Sequence, residues 1–333
     1  MTRRIVMVTG GAGFIGSNIA ATLAQDRGLD VVVCDRLRDA DTGKWRNLAK
    51  HPIADFVAPE ALFPWLEGHA EHIEAVVHMA AISSTTELDA DKIIHANFTL
   101  SRDLFLWCAQ RRRRLIYASS AATYGAGEQG FSDDNSYEAL AALRPLNAYG
   151  WSKALFDLFA VREAGRGNAP PQWAGLKFFN VYGPNEEHKG HMKSVAAQIY
   201  PKVVAGEPVR LFKSHREGVA DGGQLRDFVY VRDAAEVVSW ILATPRAQGI
   251  FNLGSGQARS FADMAKAVFR AAGRQPDIAY ADMPLEIRDK YQYFTQAQMG
   301  RLQAAGYPKP MTALEDGITD YVEAYLSRPD PHR

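Results

Sequence analysis

Residues 9–16 read Thr9-Gly10-Gly11-Ala12-Gly13-Phe14-Ile15-Gly16, between a short apolar run, Ile5-Val6-Met7-Val8, and a helical pattern that continues through Leu23. A continuous β-branched and apolar run marks a strand buried on both faces. Glycines at 11, 13 and 16 fit G-x-G-x-x-G, and those at 10, 13 and 16 fit the variant with a wider first spacing. Between a strand and a helix that spacing has a mechanism. Glycine permits a tight turn, lets backbone approach a pyrophosphate, and lets the helix pack closely on its strand. A second apolar run, Val31-Val32-Val33-Cys34, ends at Asp35, and an acidic residue about 20 positions beyond the glycines is where an adenosine ribose is held. The stretch therefore predicts a dinucleotide site in which Gly10, Gly13, Phe14, Ile15, Gly16 and Asp35 meet the cofactor.

Arg36, Arg38 and Lys44 stand near that carboxylate. A carboxylate alone favours NAD, because it repels a ribose 2′-phosphate; an arginine beside it binds that phosphate or stacks on adenine. NADP is the expected cofactor, with NAD also accepted, and Arg36 and Lys44 sit at its adenosine end.

Outward from the glycines the chain alternates strand and helix. Ala75-Val76-Val77-His78 is a third buried strand, and Met79-Ala80-Ala81 after it is small enough for a cofactor backbone to pass close to Ala80 and Ala81. His78 reads as structural. Ser83-Ser84-Thr85-Thr86 places hydroxyls just past the strand end, where α/β sheets bind ligands. Asn97 opens a helical segment through Leu104, Phe105 and Leu106, and Arg111 to Arg114 read as a solvated helix end rather than a nucleic-acid patch. Leu115-Ile116-Tyr117-Ala118 is a strand that delivers Ser119-Ser120 to the same sheet edge, and Gly125 to Arg144 is polar and loop-like. This alternation predicts a doubly wound parallel sheet of the Rossmann type, in the α/β class.

Asn147-Ala148-Tyr149-Gly150-Trp151-Ser152-Lys153 then opens a helix with Leu155, Phe156 and Phe159 on its apolar stripe. Four residues apart, Tyr149 and Lys153 share one helix face. A free tyrosine has a pKa of about 10, and a neighbouring ammonium lowers it. Such a pair can take a proton from an alcohol while a hydride leaves the same carbon.

Composition bounds the reading. A chain of 333 residues is long enough for about two domains. With 38 basic and 38 acidic residues, no global field draws it to nucleic acid or to an acidic membrane. Cys34 and Cys108 form neither a disulfide framework nor a metal-ligand cluster, which fits a reducing compartment and no metal. Arg3-Arg4 precedes an apolar run too short for a signal peptide, and no run approaches the roughly 20 residues of a membrane span. The expectation is a soluble cytoplasmic protein. Residues 1–180 are expected to form the dinucleotide domain, rejoined by about 228–254. Residues 181–227 and 255–328 are expected to form a second, smaller mixed α/β domain that binds substrate, and residues 329–333 a disordered tail.

The glycine turn, Ser119-Ser120, Tyr149-x-x-x-Lys153 and Asn180-Val181-Tyr182-Gly183-Pro184 together resemble the extended short-chain dehydrogenase/reductase family in its nucleotide-sugar branch. The resemblance covers nearly the whole chain. It implies that Ser120 orients the substrate hydroxyl, Tyr149 exchanges its proton, and Lys153 holds the nicotinamide ribose and tunes the tyrosine. Ser120-Ala121-Ala122-Thr123-Tyr124-Gly125 lacks the acidic pair that sugar dehydratases carry there, so the pattern is similar to that of epimerases.

Ser83-Ser84-Thr85-Thr86-Glu87, His188-Lys189-Gly190 and Phe294-Thr295-Gln296 narrow the resemblance to epimerases of an ADP-linked heptose. Those enzymes supply precursors of the lipopolysaccharide core. This implies transient oxidation of carbon 6 and hydride return, with Lys189 as a second acid/base group opposite Tyr149. It further implies a homo-oligomer and cofactor contacts at Asn97, Val181 and Lys189 as well as Tyr149 and Lys153. The implied substrate contacts are Ser83, Ser120, Asn180, His191, Gln198, Phe212, Lys213, Ser214, Arg226 and Tyr291. His191 stands where a small hydroxyl residue is expected, Pro59 near where a lysine is expected, and the loop from Lys213 to Leu225 is longer. Two other readings stay open: a UDP-hexose 4-epimerase or net dehydrogenase, and a non-catalytic dinucleotide sensor, which would be expected to lose Tyr149 or Lys153.

Overall fold

The computed structural model describes residues 4–26, 28–37, 43–85, 87–288 and 291–333; Arg3, Arg38 and Thr86, singled out above, lie outside them. From the glycine turn outward, β1 (Arg4–Thr9) leads through α1 (Phe14–Leu23) to β2 (Leu29–Cys34). β3 (Asp55–Val57), α2 (Leu62–Gly68) and β4 (Ile73–His78) follow. Next come α3 (Ala90–Ile93), a π-helical turn at Ile94–Thr99, α4 (Leu100–Gln110) and β5 (Arg114–Ser120). α5 (Tyr137–Ala141), α6 (Ala148–Gly165) and β6 (Trp173–Phe178) complete the first half. The remainder holds β7 (Asn180–Tyr182), α7 (Val195–Ala205), β8 (Val209–Phe212), β9 (Leu225–Tyr230), α8 (Val231–Ala243), β10 (Gly249–Leu253), β11 (Ala258–Ser260), α9 (Phe261–Ala271) and β12 (Ile278–Ala281).

The seven-stranded sheet runs β10-β6-β5-β4-β1-β2-β3, and all of its pairings are parallel. Strand order reverses between β1 and β4, so the loops after these strands diverge there and leave a crevice at their carboxyl ends. Alternate residues of the apolar runs face opposite layers. Val6, Val8, Val31, Val33 and Val77 pack with α1 and α8, while Met7, Val32, Val76 and Leu115 pack with Phe105, Phe156 and Phe159 from α4 and α6. Each such side chain contributes about 1.5–3 kcal/mol by leaving water, enough to hold the strand ends as a rigid platform for the site.

Several expectations change. Within the stretch 228–254, expected to rejoin the first domain, β10 pairs in the seven-stranded sheet, while β9 pairs parallel with β7 and antiparallel with β11 in a three-stranded sheet. The helical segment expected from Asn97 begins at Ala90 and passes Asn97 inside the π-helical turn. The loop-like stretch 125–144 contains α5, capped by Ser136. Residues 329–333 are not a loose tail. Arg333 donates to the Asn18 carbonyl and to Thr22 Oγ1 (3.1 and 2.9 Å) on α1, its backbone N–H donates to Asn185 Oδ1 (2.8 Å), and His332 is buried. The polar groups that would keep a tail in water have partners instead, and Lys50 pairs with Asp330 and donates to the His332 carbonyl. Among the described residues no helix is long and apolar enough to cross a membrane.

Candidate active site

The turn after β1 is built around two glycines whose neighbours leave no room for a side chain. Gly10 has φ +68°, which L residues with a Cβ rarely adopt, and an added Cβ would meet the Ala80 backbone nitrogen at 2.6 Å. A Cβ on Gly16 would overlap the Gly10 carbonyl oxygen, so that glycine lets α1 start against the turn. No side chain caps α1, and no acidic residue lies in its first turn. Its leading N–H groups are therefore free to bind an anion, reinforced by the helix dipole.

At the end of β2 the Asp35 carboxylate accepts hydrogen bonds from the Ala12 and Arg36 N–H groups (2.9 and 2.7 Å) and pairs with the Lys44 ammonium at 2.7 Å. Arg36 is paired with Glu60 at 2.5 Å. The cradle, the uncapped helix start and the terminal acid fit a dinucleotide.

Across the β1–β4 crevice, Ser119 and Ser120 end β5 and α6 carries Tyr149 and Lys153. Asn147 starts that helix by accepting from the Gly150 N–H (2.8 Å). Ser120 caps the short turn Ala121–Tyr124. Burial pushes the Tyr149 phenol above its usual value, and a hydrogen bond with the Ser120 hydroxyl pulls it down. The downward pull expected from Lys153 is thus supplied by Ser120. Lys153 is itself buried, which lowers its ammonium to about 8, opposed by Asp157 one turn further along α6. At neutral pH it remains mostly charged.

The turn Glu187–Met192 adds to the lining beside the start of α1. Its backbone reverses at Gly190 (φ +56°), so Lys189 faces inward while His191 stays exposed. The Lys189 ammonium lies 5.0 Å from the Phe14 ring centre. Burial lowers its pKa, and Glu186 acts in the other direction.

These groups surround one cavity of about 1620 Å³, larger than the roughly 300–1,000 Å³ that holds a single small ligand. Its walls bring together nearly all of the expected cofactor residues: Gly10, Gly13, Phe14, Ile15, Gly16, Asp35, Arg36, Lys44, Ala80, Ala81, Tyr149, Lys153, Val181 and Lys189. Of the expected substrate residues it takes in Ser83, Ser120, Asn180, Gln198 and Tyr291.

Others stand apart for identifiable reasons. Asn97 is buried outside the cavity; it accepts from the Ile82 N–H and donates to the Ile82 carbonyl and to Ser152 Oγ, tying the loop after β4 to α6. Phe212 lies edge-on to Tyr291, Lys213 pairs with Asp282, and the Ser214 N–H donates to Asp221. Buried Arg226 sits between the Tyr291 and Phe261 rings, 5.1 and 5.6 Å from their centres, and both rings line the cavity.

The structure adds residues the sequence reading passed over. His188 lines the cavity and bonds Asn47, which also donates to the Ala12 carbonyl and so links the Lys189 turn to the glycine turn. His95 and Gln292 join the walls, together with Thr85 from the hydroxyl run expected at the end of β4. Asp157 and Lys177 lie buried behind them; a lysine inside the otherwise apolar run 176–179 was the available signal. Among the described residues no group of histidines, cysteines and carboxylates could hold a metal ion. His78, as expected, is structural, buried between Thr9 and Ser101.

Residues 6–254 match the profile of the NAD dependent epimerase/dehydratase family. The chain is 48% identical to the ADP-L-glycero-D-manno-heptose-6-epimerase of Nitratidesulfovibrio vulgaris, over 98% of this chain and 99% of that protein. It is 44% identical to the Fusobacterium nucleatum protein of the same name, over 98% and 100%. Among solved structures it is similar to the Helicobacter pylori ADP-L-glycero-D-manno-heptose-6-epimerase (TM-score 0.80, 28% identity, 97% of this chain and 96% of that one). It is also similar to the Thermus thermophilus UDP-glucose 4-epimerase in complex with NAD (TM-score 0.73, 30% identity, 95% and 96%).

Proposed function

The chain belongs to the NAD dependent epimerase/dehydratase family, and from that premise we propose that it inverts carbon 6 of an ADP-linked heptose. The reaction converts ADP-D-glycero-β-D-manno-heptose to ADP-L-glycero-β-D-manno-heptose, a precursor for the lipopolysaccharide core. The observation that supports this reading is that Ser120, Tyr149, Lys153 and Lys189 all line one cavity. Its relatives named for this reaction match over nearly their full length.

A bound nicotinamide dinucleotide supplies reversible hydride exchange, so inversion needs no net oxidant. Gly10, Gly13 and the start of α1 would hold its diphosphate, Asp35 its adenosine ribose and Lys153 its nicotinamide ribose. Ser120 orients the carbon-6 hydroxyl. Tyr149 takes the hydroxyl proton as carbon 6 becomes a ketone, and protonates the alkoxide when the same face is reduced. Lys189 does the same for the opposite epimer, because a single fixed phenol addresses carbon 6 from one direction only. Asn180 positions the sugar, and Arg226, a buried guanidinium between two rings, positions the diphosphate.

NADP is the proposed cofactor. Lys44 neutralises the Asp35 carboxylate that would otherwise repel a 2′-phosphate, and Arg36 stands beside it. The protein is proposed to act as a homo-oligomer.

The deciding experiment incubates purified protein with ADP-D-glycero-β-D-manno-heptose, and separately with UDP-glucose, and resolves the epimers. Interconversion of the heptose without accumulation of reduced nicotinamide is expected. Epimerisation of UDP-glucose alone, or stoichiometric reduced cofactor, would replace this reading with a 4-epimerase or a dehydrogenase.

A further inference from the structure

Behind the cavity wall, Lys177 from β6 and Asp157 from α6 form an ion pair at 3.5 Å with no exposed side-chain surface. Burying two charges is costly, and replacing such a pair with apolar residues is often neutral or stabilising. Its presence here calls for a use other than holding the fold together, and its hydrogen bonds point to one.

Asp157 accepts from Ser119 Oγ (2.7 Å) and from the Tyr117 hydroxyl (3.0 Å), both on β5. Lys177 donates to Thr123 Oγ1 (3.0 Å), and Thr123 spends its own proton on the Ser120 carbonyl (2.8 Å). The pair thus grips both sides of the Ser120 strand end. On α6, Asp157 lies one turn beyond Lys153 and two beyond Tyr149, on the same face.

We propose that the buried Asp157–Lys177 pair is a positioning device for the reaction: it locks Ser120 at the end of β5 against the helix carrying Tyr149 and Lys153, and sets the electrostatic potential those two groups feel. The proposal rests on the reading of Ser120, Tyr149 and Lys153 as the reacting set. Neither Asp157 nor Lys177 lines the cavity, so each acts only through its neighbours. Asp157 favours the charged form of Lys153, the direction expected for a carboxylate one turn away. The other titratable groups around the pair are Asp133, whose carboxylate favours the charged form of Lys177, His78 on β4, Tyr117 on β5, Tyr124 in the turn after β5, and His95 and Asp103 on the cavity rim. None of these makes an ion pair with Lys177, and none is removed in the variants below.

The test compares Asp157→Asn, Lys177→Met and the double variant, each as cofactor-loaded full-length protein. Removing the carboxylate leaves excess positive charge and should move the pH–rate profile to lower pH; removing the ammonium should move it to higher pH. Each shift is expected to be on the order of one pH unit, and the double variant should return near the original profile. kcat should fall about 10- to 100-fold in all three, as a displaced reacting group requires, with KM nearly unchanged. Rate losses without opposed pH shifts would reduce the pair to a structural role and overturn the proposal. If a single variant does not fold, because one buried charge is left unpaired, the double variant decides: an undiminished kcat overturns the proposal.

The near-ultraviolet phenolate titration of Tyr149, with Tyr149→Phe protein as the blank, needs no sugar substrate. It should show the same opposed shifts, and their absence also overturns the proposal. Wild-type inactivity on ADP-heptose, together with opposed phenolate shifts in the two single variants, would fail the heptose reading and leave the pair's role standing.

Discussion

Lys189 occupies the turn after β7, its ammonium facing the Phe14 ring and influenced by Glu186. A solvated lysine would have neither a ring beneath it nor a buried carboxylate nearby, so the setting favours a group that exchanges a proton in the cavity. Lys189→Met should lower turnover by about 10²–10⁴-fold, the range for a lost acid/base group, with cofactor still bound. Single-turnover measurements should retain one redox half-reaction, for the epimer that Tyr149 serves. A loss of only a few-fold, or one confined to KM, would leave Tyr149 as the sole base. Arg36 gives a second prediction. Arg36→Ala should weaken NADP more than NAD in a direct binding measurement, because only NADP has a 2′-phosphate to lose; equal weakening would mean the guanidinium only stacks on adenine. That Tyr149, Lys153 and Asp35 meet at one cavity was legible because local spacing sets their positions at strand and helix ends. Lys213 and Ser214 lie outside the cavity lining, where Lys213 pairs with Asp282 and the Ser214 N–H donates to Asp221, a placement that local spacing does not reveal. His191 is exposed and outside the cavity lining, next to the backbone reversal at Gly190 that local spacing does not announce.

The β1–α1 turn works as one element. Gly10 supplies a backbone conformation that other residues adopt only under strain, and it approaches the chain after β4 too closely for a methyl group. Gly10→Ala should therefore abolish copurification of cofactor while leaving the seven-stranded sheet formed, as read by nucleotide absorbance and far-ultraviolet circular dichroism. Retained cofactor would show that the turn can relax. Strands such as β1, β2 and β4, each with its last four residues buried, declare themselves as apolar runs. β9 declares itself equally well as a strand, yet its residues 228–230 are buried in the three-stranded sheet much as they would be in the larger one. Apolar character gives burial, not the identity of the partner strand. α3 and α5, at four and five residues, span too few turns for a 3.6-residue period to show. The π-helical turn shifts the register of the helix it joins, which is why Asn97 faces Ile82 and Ser152 instead of the cavity.

At the scale of the whole molecule, His78 joins two strands of the large sheet to the helix packed on it. Its Nδ1 accepts from Thr9 on β1 (2.6 Å), and its Nε2 lies 2.9 Å from Ser101 on α4. Ser101 gives its only hydroxyl proton to the Asn97 carbonyl (2.5 Å), so it must accept from Nε2–H, and the neutral tautomer is fixed. Burial, reinforced by the charge on Lys153, lowers the His78 pKa from 6.5 to about 3. In the unfolded chain the imidazole takes up a proton below about pH 6.5; in the folded protein it does not until about pH 3. Between those values the unfolded state binds more protons, so stability is fully present above pH 6.5 and falls as the pH drops toward 3. The effect amounts to several kcal/mol, because each tenfold difference in proton affinity between the two states is worth about 1.4 kcal/mol. Denaturant titrations of wild type and His78→Gln over this range separate His78 from the carboxylates and from His188, which both proteins share. The variant should be less stable near neutrality, having lost fitted hydrogen bonds, and should lose less on acidification, so the two curves converge as pH falls. Parallel curves would show that protonation of His78 is not what couples acid to unfolding.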